Sequence, residues 1–463
     1  MPSPSTALCR SFSSRRSPRV SPTRSSLSST SGSEHARSNS LHRRRNETRN
    51  AAMKRNLVIV RLPIFACAGL ILSLFVVNLW NFAVGRDWPK LRIRSAEPLF
   101  NMPAPKPAPW SLDAFLDGET QKAFSASLGQ TMPVFPLAVR AKNQFLYSLF
   151  DASGASNLVI GKEKQLFERF YVREFCDRSG VFDQNVVEAW ADRINEIRKS
   201  VEAKGKRFIY LITPSKAARF SRYLPANLYC ASLANGTTEK LAPFRAALDL
   251  RGVAYVDGAS LMTKAASEYP IDLFPRGGTH WNYLGAAIVS RELAQALNKA
   301  GEASPFPIYE FEWKQRDEAL GTDRDLLNLL NLIWPDVKYP TADVAGQSSR
   351  NCARTPELFA VGGSFLVQIV TNLAAAPCGT SIDYWHYVHS VKEPFGRFRV
   401  EKIAGVAQFS EEPSRGTDDF AKDFAKAEIV LLEENESVIS EMAQVADLLA
   451  AASNNHAPPG GSQ

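Results

Sequence analysis

His280 is the residue of this sequence best placed to act as a general base. Three of the six histidines in the chain, His280, His386 and His389, lie in regions whose composition allows folding. A base that works near neutral pH is usually a histidine. In the segment Gly277–Asn282, two glycines predict a bend and His-Trp-Asn the start of a helix. An imidazole on such a loop can serve as a base, although it can also simply cap its own turn.

Ser364 has the surroundings that a nucleophilic serine requires. It follows an apolar run and two glycines, Gly362 and Gly363, and a helical pattern begins directly after it. The small residues permit a sharp turn, and the amides at a helix N-terminus can stabilise an oxyanion. A plain N-cap serine is the alternative interpretation. Together with His280, Ser364 predicts serine-type acyl transfer.

Metal and cofactor chemistry is not predicted. His386 and His389 have helical spacing, but no carboxylate motif accompanies them, so we expect packing or pocket-lining roles. The folded region contains no CxxC pair, and four cysteines lie beyond the apolar N-terminal run. In an oxidising compartment we expect the bridges Cys176–Cys230 and Cys352–Cys378, with four buried free thiols as the alternative.

The elements around these residues alternate between helix and strand. Apolar runs at 206–213, 253–256, 357–361 and 427–432 predict strands, and amphipathic segments between them predict helices. This order is typical of an α/β fold with a parallel sheet covered on both faces, in which ligands bind at the carboxyl ends of the strands. No Gly-rich phosphate loop is present, which disfavours a dinucleotide fold.

The positive charge of the chain is confined to its N-terminus. The formal net charge is +8, but residues 1–61 alone carry a net +11, which leaves −3 for the rest. The charge therefore does not support a general nucleic-acid-binding surface on the folded part. We interpret residues 1–55 as a disordered basic tail, and translation that starts at Met53 is an open alternative.

The next segment predicts a membrane anchor. No charged residue occurs between Leu62 and Gly85, and such a helix would span about 36 Å, enough for a bilayer core of about 30 Å. We assign 56–86 to a transmembrane signal anchor, with a cleaved signal peptide as the alternative. The basic flank predicts a cytoplasmic N-terminus and a periplasmic main domain. A Pro-rich linker (87–111), the main domain (112–440) and a C-terminal helix with a flexible tail (441–463) follow.

Five short motifs, in order, resemble the alginate O-acetyltransferase (AlgJ/AlgX-like) family, which has an SGNH-hydrolase-type domain. The resemblance extends from about Phe124 to Glu436. Its most specific parts are Thr279-His280-Trp281, similar to an Asp-Thr-His-Trp motif, and Gly362-Gly363-Ser364-Phe365, similar to Gly-x-Ser-Phe/Tyr. The other three are Thr131–Arg140, Val159–Phe167, and Ile212–Lys216 with Tyr223–Pro225.

The resemblance implies Ser364 as nucleophile and His280 as base, but the acid of the family is missing. Its position, two residues before the histidine, is Gly278. We expect a backbone carbonyl or Asp272 to orient His280, with Asp257 as the next candidate. Glu433 and Glu436 are further candidates, for which we expect a structural role. Lys216, Arg276, Trp281 and Asn282 are predicted to bind substrate.

The function implied is an O-acetyltransferase that modifies an exopolysaccharide or cell-envelope glycan through an acyl-serine. A multispanning membrane O-acyltransferase would present the acetyl donor, and the main domain would belong to a protein of the inner membrane. Two alternatives remain: a catalytically impaired glycan-binding or assembly component, and a carbohydrate acetylesterase. No cofactor, metal or nucleic-acid partner is expected.

Overall fold

The computed structural model describes residues 61–77, 79–80, 97–102, 110–131, 135–177, 183–234, 240–299, 306–348, 355–389, 391–413 and 416–453. The chain forms two units, 1–93 and 94–463. In the first unit, residues 61–77 and 79–80 are helical. Among the described residues, no helix combines the length and the apolar character needed to cross a bilayer. The predicted tail, the flanks of the predicted anchor and much of the predicted linker lie outside the described residues.

The second unit alternates helices and strands. Its strands are β1 Leu158–Ile160, β2 Leu166–Glu168, β3 Arg207–Thr213, β4 Tyr255–Asp257, β5 Tyr309–Arg316, β6 Thr341–Ser348, β7 Leu358–Gly362, β8 Ile382–His386, β9 Gly396–Ile403, β10 Val406–Glu411 and β11 Ile429–Asn435. Its helices are α1 Leu112–Leu116, α2 Glu119–Thr131, α3 Phe135–Phe150, α4 Arg169–Asp177, α5 Gln184–Ala203, α6 Lys216–Arg219, α7 Ala231–Ala234, α8 Ala242–Leu250, α9 Gly258–Ala265, α10 Tyr283–Lys299, α11 Asp325–Leu329, α12 Leu366–Ala375, α13 Thr417–Lys426 and α14 Gln444–Ser453.

A seven-stranded sheet is the centre of this unit, with strand order β10-β9-β8-β7-β11-β3-β4. The five strands from β8 to β4 are parallel to one another, whereas β9 and β10 are antiparallel additions at one edge. The sheet is therefore mixed, and the prediction of a parallel sheet was right only for its central part. β5 and β6 form a separate antiparallel pair.

Helices cover both faces of the sheet because the central strands are apolar on both sides. In β3, Ile209 and Leu211 belong to one core cluster, and Phe208, Tyr210 and Ile212 belong to the other. This alternation follows the two-residue period of a strand. The result is the predicted three-layer arrangement, in which helix α14 belongs to the second core cluster rather than to an appendage.

A third, smaller core cluster lies outside the two faces. It joins β1 and β2 to the segment around helix α11, through Leu158, Ile160, Leu166, Leu326 and Leu327, among others. These apolar contacts fix the start of α11.

Cys176 and Cys230 form a disulfide, as predicted. The bridge ties α4 to the residue that precedes α7. Cys378 is also in a disulfide. Its predicted partner Cys352 lies outside the described residues, so that pairing stays a prediction.

Candidate active site

Ser364 lies on a tight turn at the carboxyl end of β7. The turn needs glycine at position 362, because a Cβ there would lie 2.5 Å from the Glu433 carboxylate. Helix α12 begins two residues after the serine, and the Ser364 side chain is only partly buried. No acceptor among the described residues takes the backbone N–H of Ser364 or Phe365. These two amides are therefore available to an incoming group at the start of a helix.

Glu433, at the end of the neighbouring strand β11, supports this turn from below. Its Oε2 accepts a 2.6 Å hydrogen bond from the Gly363 amide, and its Oε1 accepts one from the Thr213 hydroxyl on β3. Burial raises the pKa of Glu433 to about 7, although both hydrogen bonds and the nearby His280 lower it. Glu433 thus holds the nucleophile turn in place, the structural role expected for it.

His280 lies on the loop between α9 and α10, directly beside Ser364. The buried Lys216 holds this loop: its Nζ donates to the carbonyls of Pro275 (2.6 Å), Arg276 (3.2 Å) and Gly278 (2.8 Å). Burial lowers the pKa of Lys216 to about 7. The Phe365 ring supports the imidazole, with ring centroids 4.8 Å apart.

The serine and the histidine are in direct contact, and a carboxylate completes the set. His280 Nε2 lies 2.9 Å from Ser364 Oγ. On the other side of the ring, His280 Nδ1 lies 2.6 Å from Oδ2 of Asp325. This is the connectivity of a Ser-His-Asp triad: a carboxylate fixes the tautomer so that the second ring nitrogen can accept the serine proton.

Asp325 is itself held firmly. Its Oδ1 accepts hydrogen bonds from the amides of Thr279 (2.9 Å) and Leu326 (2.6 Å), so both carboxylate oxygens have partners. The Leu327 amide donates to the Gly277 carbonyl at 2.9 Å. Residues 321–327 and 277–280 are therefore joined by the backbone as well as by the triad.

A cleft of about 340 Å³ opens in front of Ser364. Aromatic rings form much of its wall, from Phe170, Tyr171, Phe365, Tyr387 and Phe395. Its polar lining includes Glu168, Glu433 and Asn435, with His386 and His389 at one side. A cavity that joins apolar walls to a few polar groups around a triad is a suitable binding site for a small molecule or a sugar.

Comparison with known proteins finds similarity to alginate O-acetylation proteins. Residues 158–366 match the family model described as "SGNH hydrolase-like domain, acetyltransferase AlgX". Over 307 residues the chain is 24% identical to "Probable alginate O-acetylase AlgJ" of Pseudomonas syringae pv. tomato, an alignment that covers 61% of this chain and 72% of that protein. Both findings support the predicted AlgJ/AlgX-like family and the predicted O-acyltransferase class.

Two further similarities cover parts of this chain. It is 23% identical over 188 residues to "Probable alginate O-acetylase AlgJ" of Pseudomonas putida, and spans 45% of that protein. The solved "O-Acetyltransferase Domain of Pseudomonas putida AlgJ" superposes with a TM-score of 0.39 at 19% identity, over 64% of this chain and 99% of that structure.

Compared with the motif that the sequence resembles, this triad has its acid at a different place in the sequence. Gly278 stands at the family position, and a Cβ there would lie 2.6 Å from the Thr322 carbonyl oxygen. The absence of a side chain leaves room for the segment that carries Asp325. Asp325 was missed because it lies 45 residues after His280, and only a cluster of acids after Gly321 marks it in the sequence.

The prediction that Asp272 orients His280 was wrong. Its side chain is 48% exposed and lies 3.7 Å from Arg222, in a different cleft. Near the His280 loop, only the backbone of Asp272 makes a contact: its carbonyl accepts a 2.8 Å hydrogen bond from the Asn282 side chain. The other carboxylates considered also have separate roles: Asp257 caps α9, and Glu436 binds Arg219.

The four residues predicted to bind substrate do not line the cleft at Ser364. Lys216 and Trp281 are buried, and the Trp281 ring packs edge-on against Phe365. Asn282 is buried and accepts from the Gly285 amide at the start of α10. Arg276 lies on the surface and pairs with Asp336 at 2.7 Å. All four shape the His280 loop or its surroundings.

His386 and His389 line the cleft. Among the described residues, no group of three His, Cys, Asp or Glu side chains is placed to hold a metal ion. His386 ends β8, and burial lowers its pKa to about 4, with a smaller effect of the nearby His280. His389 stacks on Phe170, with ring centroids 4.6 Å apart. Their predicted pocket-lining role agrees with this placement.

Proposed function

We propose that this protein is an O-acetyltransferase that modifies an exopolysaccharide through an acetyl-Ser364 intermediate. The observation that carries the proposal is the continuous chain of contacts from Ser364 Oγ to His280 (2.9 Å) and from His280 to Asp325 (2.6 Å). The names of the AlgJ relatives, which refer to alginate O-acetylation, support a polysaccharide acceptor.

In the first half-reaction, Ser364 Oγ attacks the acetyl carbonyl of the donor while His280 Nε2 takes the serine proton. The imidazolium that forms is stabilised by Asp325. The carbonyl oxygen becomes an oxyanion, and the free amides of Ser364 and Phe365 lie at the start of α12, where they can bind it. Collapse breaks the bond to the leaving group, which receives its proton from His280.

In the second half-reaction, a sugar hydroxyl takes the place of the leaving group. His280 removes its proton, the hydroxyl oxygen attacks the acetyl-serine, and the ester moves to the sugar as Ser364 recovers its proton. Water in place of the sugar gives acetylesterase activity with the same groups. The complete triad favours both of these reactions over a catalytically impaired binding component.

Location and donor belong to the same proposal. The basic segment before Leu62 and the uncharged run after it support an anchor in the inner membrane with the catalytic unit in the periplasm. A donor domain in the membrane would then deliver acetyl groups to this side, as the family resemblance implies. A reporter that is active only outside the cytoplasm, fused to the C-terminus, tests this: a stable but silent fusion contradicts the topology.

The test of catalysis is acylation of the full chain by an activated acetyl ester such as 4-nitrophenyl acetate. We expect a burst of nitrophenol that approaches one equivalent and a mass increase of one acetyl group on the peptide that contains Ser364. Ser364→Ala should abolish both, whereas the matched control Ser410→Ala, on the exposed strand β10, should retain them. A wild-type protein that folds but gives no burst would favour the binding component.

A further inference from the structure

The charge of the cleft carries information about the acceptor. No Lys or Arg side chain is among the described residues that line it, whereas Glu168 and Glu433 are. His386 adds no positive charge, since its lowered pKa keeps that ring neutral at pH 7. His389 lies 3.5 Å from the Glu441 carboxylate.

Glu168 is the carboxylate that an acceptor would meet. It ends β2, is half-buried, and lines the same cleft as Ser364. Burial raises its pKa, the nearby His280 lowers it, and Asp325 raises it again, which places Glu168 within electrostatic reach of the triad. Glu433, by contrast, is 1% exposed and is already bound by Thr213 and Gly363.

The cationic groups near the cleft are committed elsewhere. Lys216 is buried against three carbonyls of the His280 loop. Arg219 binds the buried Glu436. Arg173 lies over the Phe170 ring, 6.0 Å from its centroid, and 3.9 Å from Glu174. A polyanion that entered this cleft would thus meet the Glu168 carboxylate, and no Lys or Arg among the described lining residues would balance the two charges.

The aromatic walls of the cleft are suited to an uncharged sugar. Phe395 is 59% exposed, and Phe170 is partly exposed beside it on the cleft lining. The C–H face of an uncharged pyranose is apolar and can pack on such rings, while its hydroxyls can donate to Glu168.

We infer that the acceptor of this enzyme is an uncharged glycan, bound on the aromatic wall and hydrogen-bonded to Glu168, and not a polyuronate. The inference rests on the proposed function and specifies its substrate class. Alginate, the polymer in the names of the relatives, carries a carboxylate on every sugar, so this chain would differ from them in the acceptor. Like charges that meet at a binding site strongly disfavour a wrong partner.

The test measures how much of the acetyl group on Ser364 is transferred to each of two acceptors. The full chain is acetylated with 4-nitrophenyl acetate and offered uncharged β-linked gluco-oligosaccharides or alginate oligouronates of equal length. Acetylated sugar is measured by mass spectrometry and divided by the burst, so that changes in acylation cancel. We expect at least about a tenfold preference for the uncharged oligosaccharide.

Two pairs of variants sharpen the result. Glu168→Gln should reduce the preference by raising transfer to the oligouronate, whereas Asp272→Asn, a carboxylate removed from the other cleft, should leave the ratio unchanged. Phe395→Ala should raise KM for the uncharged oligosaccharide several-fold, and Phe409→Ala, an exposed ring on β10, should not.

The outcomes separate this inference from the proposed function. Equal or preferred transfer to the oligouronate overturns the uncharged acceptor, and so does an acetyl-enzyme that passes its acetyl group to neither sugar. If no acetyl-Ser364 forms, the proposed function fails. Calorimetric measurement of the binding of both oligosaccharides to the same protein then still tests which class of glycan it binds. Tighter binding of the uncharged sugar supports the inference, and tighter binding of the oligouronate contradicts it.

Discussion

Asp325 determines whether His280 can work as a base. It fixes the ring through Nδ1 and is held by two backbone amides, so its oxygen is aimed before substrate arrives. A preorganised acceptor of this kind costs no reorganisation during the reaction. The negative charge of Asp325 also stabilises the imidazolium that His280 becomes in each half-reaction.

Replacing Asp325 with Asn should therefore preserve the fold and lower the rate of acylation. Asn removes the charge and can present an N–H to His280, which favours the wrong tautomer. In serine enzymes with such a triad the loss is about 10⁴-fold. The rate of the nitrophenol burst measures it. Asp272→Asn serves as the matched control, and equal losses in both variants would remove Asp325 from the triad.

At the scale of elements, the site depends on two loops that pack together. The loop 275–280 carries His280, and residues 321–327 carry Asp325. Tyr339 joins them, since its hydroxyl donates to the Asp323 carbonyl at 2.7 Å and accepts from the Gly277 amide at 3.1 Å. Position 278 lies where the two loops touch.

Placing the family acid at that position, by Gly278→Asp, should harm the enzyme. The new Cβ would lie 2.6 Å from the Thr322 carbonyl and 2.9 Å from the Pro275 ring, so the Asp325 segment must move. We expect at least about a tenfold loss of acylation and about 1–3 kcal/mol of destabilisation, the usual cost of overpacking. Gly416→Asp, where nothing lies within 4 Å, is the control. A gain in activity would show that Asp325 is not the working acid.

The Cys176–Cys230 bridge stabilises the element that forms one wall of the cleft. Helix α4 begins directly after Glu168 and contains Phe170 and Tyr171, and the bridge fixes its last turn. The two cysteines are 54 residues apart, and closing a loop of that length contributes on the order of 4 kcal/mol by restricting the unfolded chain.

Replacing both cysteines with Ala should therefore lower the free energy of unfolding by a few kcal/mol, as measured by denaturant unfolding without reductant. Acceptor transfer should fall more than acylation, because the wall and not the triad is loosened. Cys67→Ala, which removes a free cysteine of the first unit, is the control. A double variant as stable as the wild type would contradict this account.

At the scale of the molecule, buried carboxyl groups should make stability depend on pH. Burial raises the pKa of Asp323, Glu433 and Glu434 to about 7, from ordinary values of 3.8, 4.5 and 4.5. Between those values the folded protein binds more protons than the unfolded chain. The stabilisation is therefore complete below about pH 4 and is lost as the pH rises toward about 7.

Glu434→Gln isolates one of these groups away from the triad. Glu434 accepts from Trp190 at 2.8 Å and from Tyr210 at 2.9 Å, and Gln cannot ionise there. We expect the fall in unfolding free energy between pH 5 and pH 7.5 to be smaller in the variant than in the wild type, by on the order of 1 kcal/mol or more. Glu268→Gln, on the exposed surface, should show the wild-type slope. Parallel slopes for Glu434→Gln and the wild type would contradict the raised pKa.

The amino-acid sequence by itself determined the two reacting residues and the α/β core. Ser364 and His280 could be found because each lies in a local pattern, a strand-glycine-helix turn and a Gly-Gly bend before a helix. Strands β3, β4, β7 and β11 could be found because their apolar runs are continuous. The parallel strand β8 was missed because Asp383 interrupts its short apolar run. The antiparallel strands β9 and β10 have exposed residues and weak patterns, so they were also missed.

Only the tertiary structure decided which carboxylate completes the triad and which residues face the substrate. Asp325 reaches His280 because the third core cluster packs α11 against β1 and β2, a contact between segments far apart in the sequence. Lys216 is of a residue type that often binds ligands, yet its Nζ donates to three backbone carbonyls of the protein itself. A charged side chain in a motif does not show whether it faces solvent or its own backbone, because the packing of distant segments determines its direction.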